Sequence, residues 1–577
     1  MSIPPRLLSA LFFVFASAHS ATADSAPAEQ EGAAVTIWRD GRPFLRTASI
    51  QTAVDQALAG DELRVTPGVH HENVRIVGRS GRADAPIVLS AESGTEVVID
   101  GADPVLQSPG SSRWQRLDDG TGWEAEVPWF GKTSRAMLTW ASHADERLIA
   151  AHHNEDFFRA GRRGDALFRV GSRVKIRLAD GRDPNYVALN IGLAEGILQF
   201  ENSSHWIVRG LELRHAGYAG VQLKGRGVHD ILVENVTVRT AFRGITTEEG
   251  LEGSRNIRIK ACRVLNDWNF EWEWRLGYSD AIADNSDEAA PMRGTGIRII
   301  ADDSEVTRCE IAGQWDGIGV QGRNVRVSHN LVHHIADDMV ELESNRSQNL
   351  WFHDNVGFLV YVGISVVSNQ PGPLYIFRNR VSCTKRSRIE GADYRFGYPL
   401  KFGQDWGPSA SQLYIYHNTF ESGARGVFVQ AKSAYAKWRD ISFINNVFWR
   451  RDVKGPVGLE AMGSAANGVT WAGNLFSDPR EPAKLLSLDP LFSNAGLVAD
   501  PGFLTLSTPV PDYRPSPSSA VKGAALSLPA ERGWPDSVPA SAGTAMPDIG
   551  AVPFGSAPAA AGPGGDLHWP WDRATLH

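Results

Sequence analysis

The sequence predicts an all-β chain wound as a solenoid, and three observations predict it. First, from Arg209 onward a short theme recurs: a β-rich run, an asparagine, then another β-rich run. Second, the theme returns at a period near 25 residues, with strand-formers rather than helical periodicity inside each unit. Third, a second run that alternates in hydrophobicity follows each unit, as a half-buried strand requires.

The recurring theme reads "VENVTV", "SHNLVH", "HDNVGF", "FRNRVS", "YHNTFE", "INNVFW" and "AGNLFS", centred on Asn235, Asn330, Asn355, Asn379, Asn418, Asn446 and Asn474. Cys262 and Cys309 fill the same slot. Stacked coils align equivalent residues about 4.8 Å apart, the spacing between strands. Asparagines in line can pass side-chain hydrogen bonds from coil to coil, which satisfies polar groups in a buried turn. They are therefore read as structural, and the two cysteines as small ladder members rather than reactive thiols.

The following strands place Val221, Ile245, Ile318, Val340, Ile364, Leu400 and Val427 inward. Their neighbours Gln222, Thr246, Gly319, Glu341, Ser365, Lys401 and Phe428 then face outward. The next outward column holds Lys224, Glu248, Gln321, Glu343, Val367, Gly403 and Gln430.

These features resemble the right-handed parallel β-helix proteins of polysaccharide metabolism, and the resemblance reaches both ends. "SIQTAVDQALAGDELRVTPGVHHENVRI" is similar to their amphipathic cap helix and first strands, and "DPGFLTLSTPVPDYRPSPSSAVKGAA" with "DIGAV" to their finish. The resemblance implies a fold over most of residues 35–555 but not a reaction, because this fold carries lyases, hydrolases, epimerases and phage spikes.

The expected organisation is a signal peptide over 1–23, a linker over 24–44 and the β-helix start over 45–103. A β-rich insertion over 104–195, a core over 196–485, a finish over 486–555 and a flexible tail over 556–577 complete it. The leader has a basic Arg6, an apolar Leu7–Ala16 and an Ala21-Thr-Ala23 cleavage pattern, so a secreted or periplasmic protein is expected. The apolar run is too short to span a bilayer. A net charge of −8 gives no basic footprint for nucleic acid, and three cysteines without a C-x-x-C pair give no structural zinc.

"HHIADDMVELES" concentrates the candidate chemistry. Glu341 and Glu343 share one strand face about 6.6 Å apart. Asp337 and Asp338 precede them, Asp316 lies one coil earlier and Lys401 two coils later. A solvated, charge-bearing sheet face is the simpler alternative. Clustered carboxylates raise one another's pKa, which a general acid at neutral pH requires. Glu341 and Glu343 are the leading acid/base pair of a glycoside hydrolase that needs no cofactor, with Asp337, Asp338 and Asp316 in reserve and Lys401 stabilising charge. Gln321, His333, Trp272, Trp274, Trp406 and Arg388 are expected to bind a polysaccharide, including an anionic one.

"ELESNRSQNLWFHDN" further resembles a stretch of the chondroitinase-B-like and alginate lyases, where acids hold Ca²⁺, a lysine is the base and an Arg-His pair follows. Here Glu341 matches an acid, Arg346 replaces the lysine and Val367-Ser368 replaces the pair. A guanidinium is a poor base. The lyase alternative therefore assigns Ca²⁺ to Glu341 and Glu343 and proton abstraction to Lys401. Of the polygalacturonase-type signatures only the adjacent Asp337-Asp338 is present. A non-catalytic glycan-binding β-helix is the third reading.

Overall fold

The computed structural model describes residues 34–563 except 128–140, 144–147, 153–154, 161–164, 249–252, 267–293, 343–345, 367–370, 384–397, 403–410, 423–438, 451–468, 481, 484–495, 506–511, 529–533, 535–543 and 558–560. Two long sheets, of 14 and 20 strands, run along the chain with almost entirely parallel pairing. One continuous core of buried aliphatic and aromatic residues extends between them, from Ala34 to Phe476. The fold is a right-handed parallel β-helix, as expected.

Register explains why the coils stack. Val221, Ile245, Ile297, Ile318, Val340, Ile364 and Leu400 form one inward column. Each of these side chains is fully buried. The expected column lacked Ile297, and its last member, Val427, lies outside the described residues.

The ladder asparagines Asn330, Asn355, Asn379, Asn418, Asn446 and Asn474 are wholly buried. Each amide donates to the carbonyl oxygen of the next at 2.9–3.0 Å. That same oxygen also accepts the preceding ladder residue's backbone N–H. Asn235 departs from the expectation. Thr237 pairs with Arg263, so the ladder slot beside Cys262 belongs to Val236, and Asn235 sits exposed one residue earlier with φ 51°. The left-handed turn selects asparagine there for its backbone, not for the ladder.

The ends correct two boundaries. Residues 35–44, expected within a linker, are built into the sheet: Val35–Arg39 and Arg42–Thr47 pair antiparallel, and Val35 and Ile37 are buried. The cap helix Ile50–Gln56 starts at Ser49, whose hydroxyl accepts the Thr52 N–H. The insertion is a separate seven-stranded, mostly antiparallel sheet with its own core around Leu167, Val174 and Ile176. At the other end, Ala561 and Gly562, inside the expected flexible tail, are docked on the β-helix. Ala561 packs with Leu331, Val356 and Phe358, and the Gly562 N–H donates to the His329 carbonyl. Among the described residues no helix is long and apolar enough to cross a membrane.

Candidate functional site

The outward column beside Val340 sets the site. It runs Gln222, Thr246, Arg298, Gly319, Glu341, Ser365 and Lys401 from coil to coil. Glu341 is half-buried at the end of the strand Leu331–Glu341. That 11-residue strand runs through a bend without a break, and its register shifts between Ile335 and Asp338. Such a bulge re-aims side chains. Here Asp338 reaches the neighbouring column, with its carboxylate 3.2 and 3.4 Å from Lys401 Nζ.

A corner packing exchange accompanies the bulge. In the flanking coils a glycine faces a valine: a Cβ on Gly317 would lie 2.5 Å from Val332, and one on Gly363 2.5 Å from Val381. At the acidic coil the sizes reverse, with Met339 buried against Gly357. The large side chain therefore sits on the strand that carries the acids.

Three carboxylates converge. Asp316, Asp338 and Glu341 each offer an oxygen within 4.8 Å of the others, and both aspartates are buried. The Asp338 N–H donates to Asp316 Oδ1 at 3.2 Å. Burial pushes the Asp316 carboxyl well above the usual carboxylate range, and the negative charges of Glu341, Asp337 and Asp338 push it further. Burial also raises Asp338, but the Lys401 ammonium beside it opposes the shift. Both acids are therefore pushed toward holding a proton, Asp316 by burial and three neighbouring carboxylates, Asp338 by burial against the opposing charge of Lys401.

The other predicted residues divide. Asp337 is half-buried, and its N–H donates to the Trp315 carbonyl. Gln321 pairs with Ile300 and lies two residues beyond Gly319, so it stands off the acid cluster rather than beside Glu341. His333, expected to bind substrate, is buried with 1% exposure: its Nε2 is 3.2 Å from Glu310, its Nδ1 is 2.7 Å from His334, and its ring stacks on Phe358. It can orient neighbours but presents no surface to a glycan. Glu343, Trp272, Trp274, Trp406 and Arg388 lie outside the described residues.

Sequence reasoning missed Arg298. The period breaks across 267–293, which hid the register of "GIRIIAD", although alternation alone places Arg298 next to inward Ile297. Gly319, without a side chain, leaves a notch between Arg298 Cγ and Glu341 Oε2, which a Cβ there would approach to 3.6 and 3.9 Å.

The three acids also suit a hard cation, which takes carboxylate oxygens. Among the described residues Asp316, Asp338 and Glu341 would be its ligands; of the expected pair, Glu341 is one of them and Glu343 lies outside the described residues. Lys401 already neutralises part of that charge.

Residues 195–381 match the family described as "Right handed beta helix region". No curated protein sequence matches the chain. Similar solved structures include a complex of XylC with xylose, at 13% identity and TM-score 0.38, covering 76% of this chain and 81% of that one. Another is the pectate lyase Pel9A, at 13% identity and TM-score 0.39, covering 88% and 92%. A third is described as a glycoside hydrolase, at 11% identity and TM-score 0.39, covering 75% and 94%.

Proposed function

We propose that the chain is an exported polysaccharide-degrading enzyme, and specifically a glycoside hydrolase working through paired carboxylates. The observation that carries the reading is a contact between two buried acids in unequal surroundings: three carboxylates reinforce the rise at Asp316, whereas Lys401 opposes it at Asp338. Environments that push two acids apart assign them acid and base roles. Asp316 holds the proton that the departing sugar oxygen needs. Asp338, where Lys401 opposes the rise, is the partner carboxylate that acts in its ionised form. Glu341 completes the cluster and supports the proton on Asp316 by its charge. This moves the leading role from Glu341 and Glu343 to Asp316 and Asp338, with Glu341 retained beside them.

A second reading has its own support. The same three acids suit Ca²⁺, and Lys401 stands beside them as a candidate base for β-elimination on a uronate glycan. One experiment separates the readings: incubation of the protein with a panel of neutral and uronate polysaccharides, with and without EDTA. Hydrolysis gives new reducing ends, no absorbance near 235 nm and little effect of chelation. Absorbance near 235 nm that EDTA abolishes and Ca²⁺ restores selects the lyase. Binding without any product selects the non-catalytic glycan-binding reading.

A further inference from the structure

A second cluster of ligating side chains lies far from the acids in fold terms, on the 14-stranded sheet. The strands Ser204–Arg209 and His229–Glu234 are parallel neighbours, paired Ser204 to His229 and Trp206 to Ile231. That register sets His205 beside Asp230. Both have left-handed backbones, with φ 57° and 56°. Asp230 Oδ2 lies 2.5 Å from His229 Nδ1 and 3.9 Å from His205 Nδ1. The two imidazoles are perpendicular, with centroids 5.3 Å apart. One donor atom from each residue falls within 4.8 Å of the other two.

The carboxylate is already oriented. Asn256 of the next coil donates its amide to Asp230 Oδ1, leaving Oδ2 toward the two rings. Further along the same column Asp303, Asn324 and Asn349 continue amide hydrogen bonds between coils. A ladder of that kind needs only asparagine or aspartate, and it gives no reason for a histidine, His205, at its start or for His229 in the column beside it. The side chains of His205, His229 and Asp230 are 23%, 24% and 28% exposed, so an ion can reach them without unfolding.

We propose that His205, His229 and Asp230 bind a divalent cation of the zinc class, clipping two adjacent coils together. Two imidazoles and one carboxylate suit zinc, copper or nickel, whereas calcium and magnesium require shells of oxygen. Three protein ligands leave a fourth position for water. The Asn256 amide supplies the outer hydrogen bond that fixes a ligating carboxylate.

The test uses the full chain, stripped of metal and titrated with Zn²⁺ against a chromophoric chelator, with thermal unfolding followed in parallel. The expected result is about one equivalent bound with a rise in unfolding temperature. His205→Gln and His229→Gln should each weaken binding by about tenfold or more, and Asn256→Ala by less. Asp316→Asn reports whether the ion goes instead to the acidic cluster. The unfolding temperature of each metal-free variant shows whether it is folded. Failure of the parent to bind Zn²⁺ at tens of micromolar would overturn the proposal. Affinity unchanged in both histidine variants, or lost only in Asp316→Asn, would do the same.

Discussion

Asp316 carries the sharpest consequences at the scale of single residues. Its pKa is raised in the folded state, so the native protein binds this proton more tightly than the unfolded chain does. Stability from that proton is full below the ordinary aspartate range and is lost as pH rises through the raised value. Asp316→Asn removes the buried ionisable group, so it should stabilise the fold at pH 8 relative to the parent and change little at pH 4, by thermal unfolding. The same substitution removes the proton donor, and turnover should fall about 10²–10⁴-fold. Parent activity should itself decline as pH rises and Asp316 ionises. A variant that is both less stable at pH 8 and fully active would exclude Asp316 from this role. Reading the residues alone put Glu341 and Lys401 in one outward column by alternation, and Asp316 and Asp338 in the turn before the strand. It could not rank them, since burial and the bulge that turns Asp338 toward Lys401 depend on neighbouring coils.

The strand is the scale on which the size reversal at Met339 and Gly357 belongs. Gly357→Val would place a Cβ 2.3 Å from the Met339 sulfur, a contact that must force one of them to move. Overpacking of this kind costs about 1–3 kcal/mol. Met339→Gly in the same chain recreates the glycine–valine pairing of the flanking coils, so the double variant should recover much of that loss in denaturant unfolding. Strict additivity of the two substitutions would mean that the contact is not shared. The asparagine ladder makes a parallel case. Asn379→Leu strands the Asn355 N–H and takes one partner from the Asn355 amide, the Phe352 carbonyl and the Asn418 oxygen. A loss of about 1–3 kcal/mol is expected, the cost of burying unpaired polar groups. This ladder was legible because the pattern repeats; Asn235 was misassigned by one residue because left-handed turns select asparagine for a different reason. The Met339–Gly357 exchange had no signature in the sequence, since neither residue is unusual until the coils are stacked.

Over the whole molecule, the segment after residue 499 behaves as a cover for the last coils, and the loss of that cover is the final prediction. Val521, Ala525 and Ile549 close over Val447 and Leu475. Trp534 continues the aromatic column of Tyr414 and Tyr416, with centroids 4.7 and 5.1 Å away. Buried polar groups of the coils find partners there as well. The Tyr513 hydroxyl donates to the fully buried Glu421 at 2.5 Å, and His417 Nδ1 lies 3.1 Å from the Asp548 carbonyl. Asn445 exchanges two hydrogen bonds with the backbone of Leu526. In a solenoid each coil is held only by its neighbours, so an uncovered terminal coil must depend on a cap. The resemblance led to a β-helix finish being expected over 486–555 but could not show what it covers, because its partners are supplied by coils some 80–130 residues earlier. Ending the chain at Ala499 should therefore lower the unfolding temperature and expose the strands Arg439–Ile444, Val447–Arg450, Val469–Ala472 and Asn474–Phe476 first in hydrogen exchange, with Asp316 and its neighbours protected longer. Each orphaned buried polar group contributes about 1–3 kcal/mol to that loss. A truncated chain with the parent's unfolding temperature and protection in these coils would show that the segment merely rests on the β-helix.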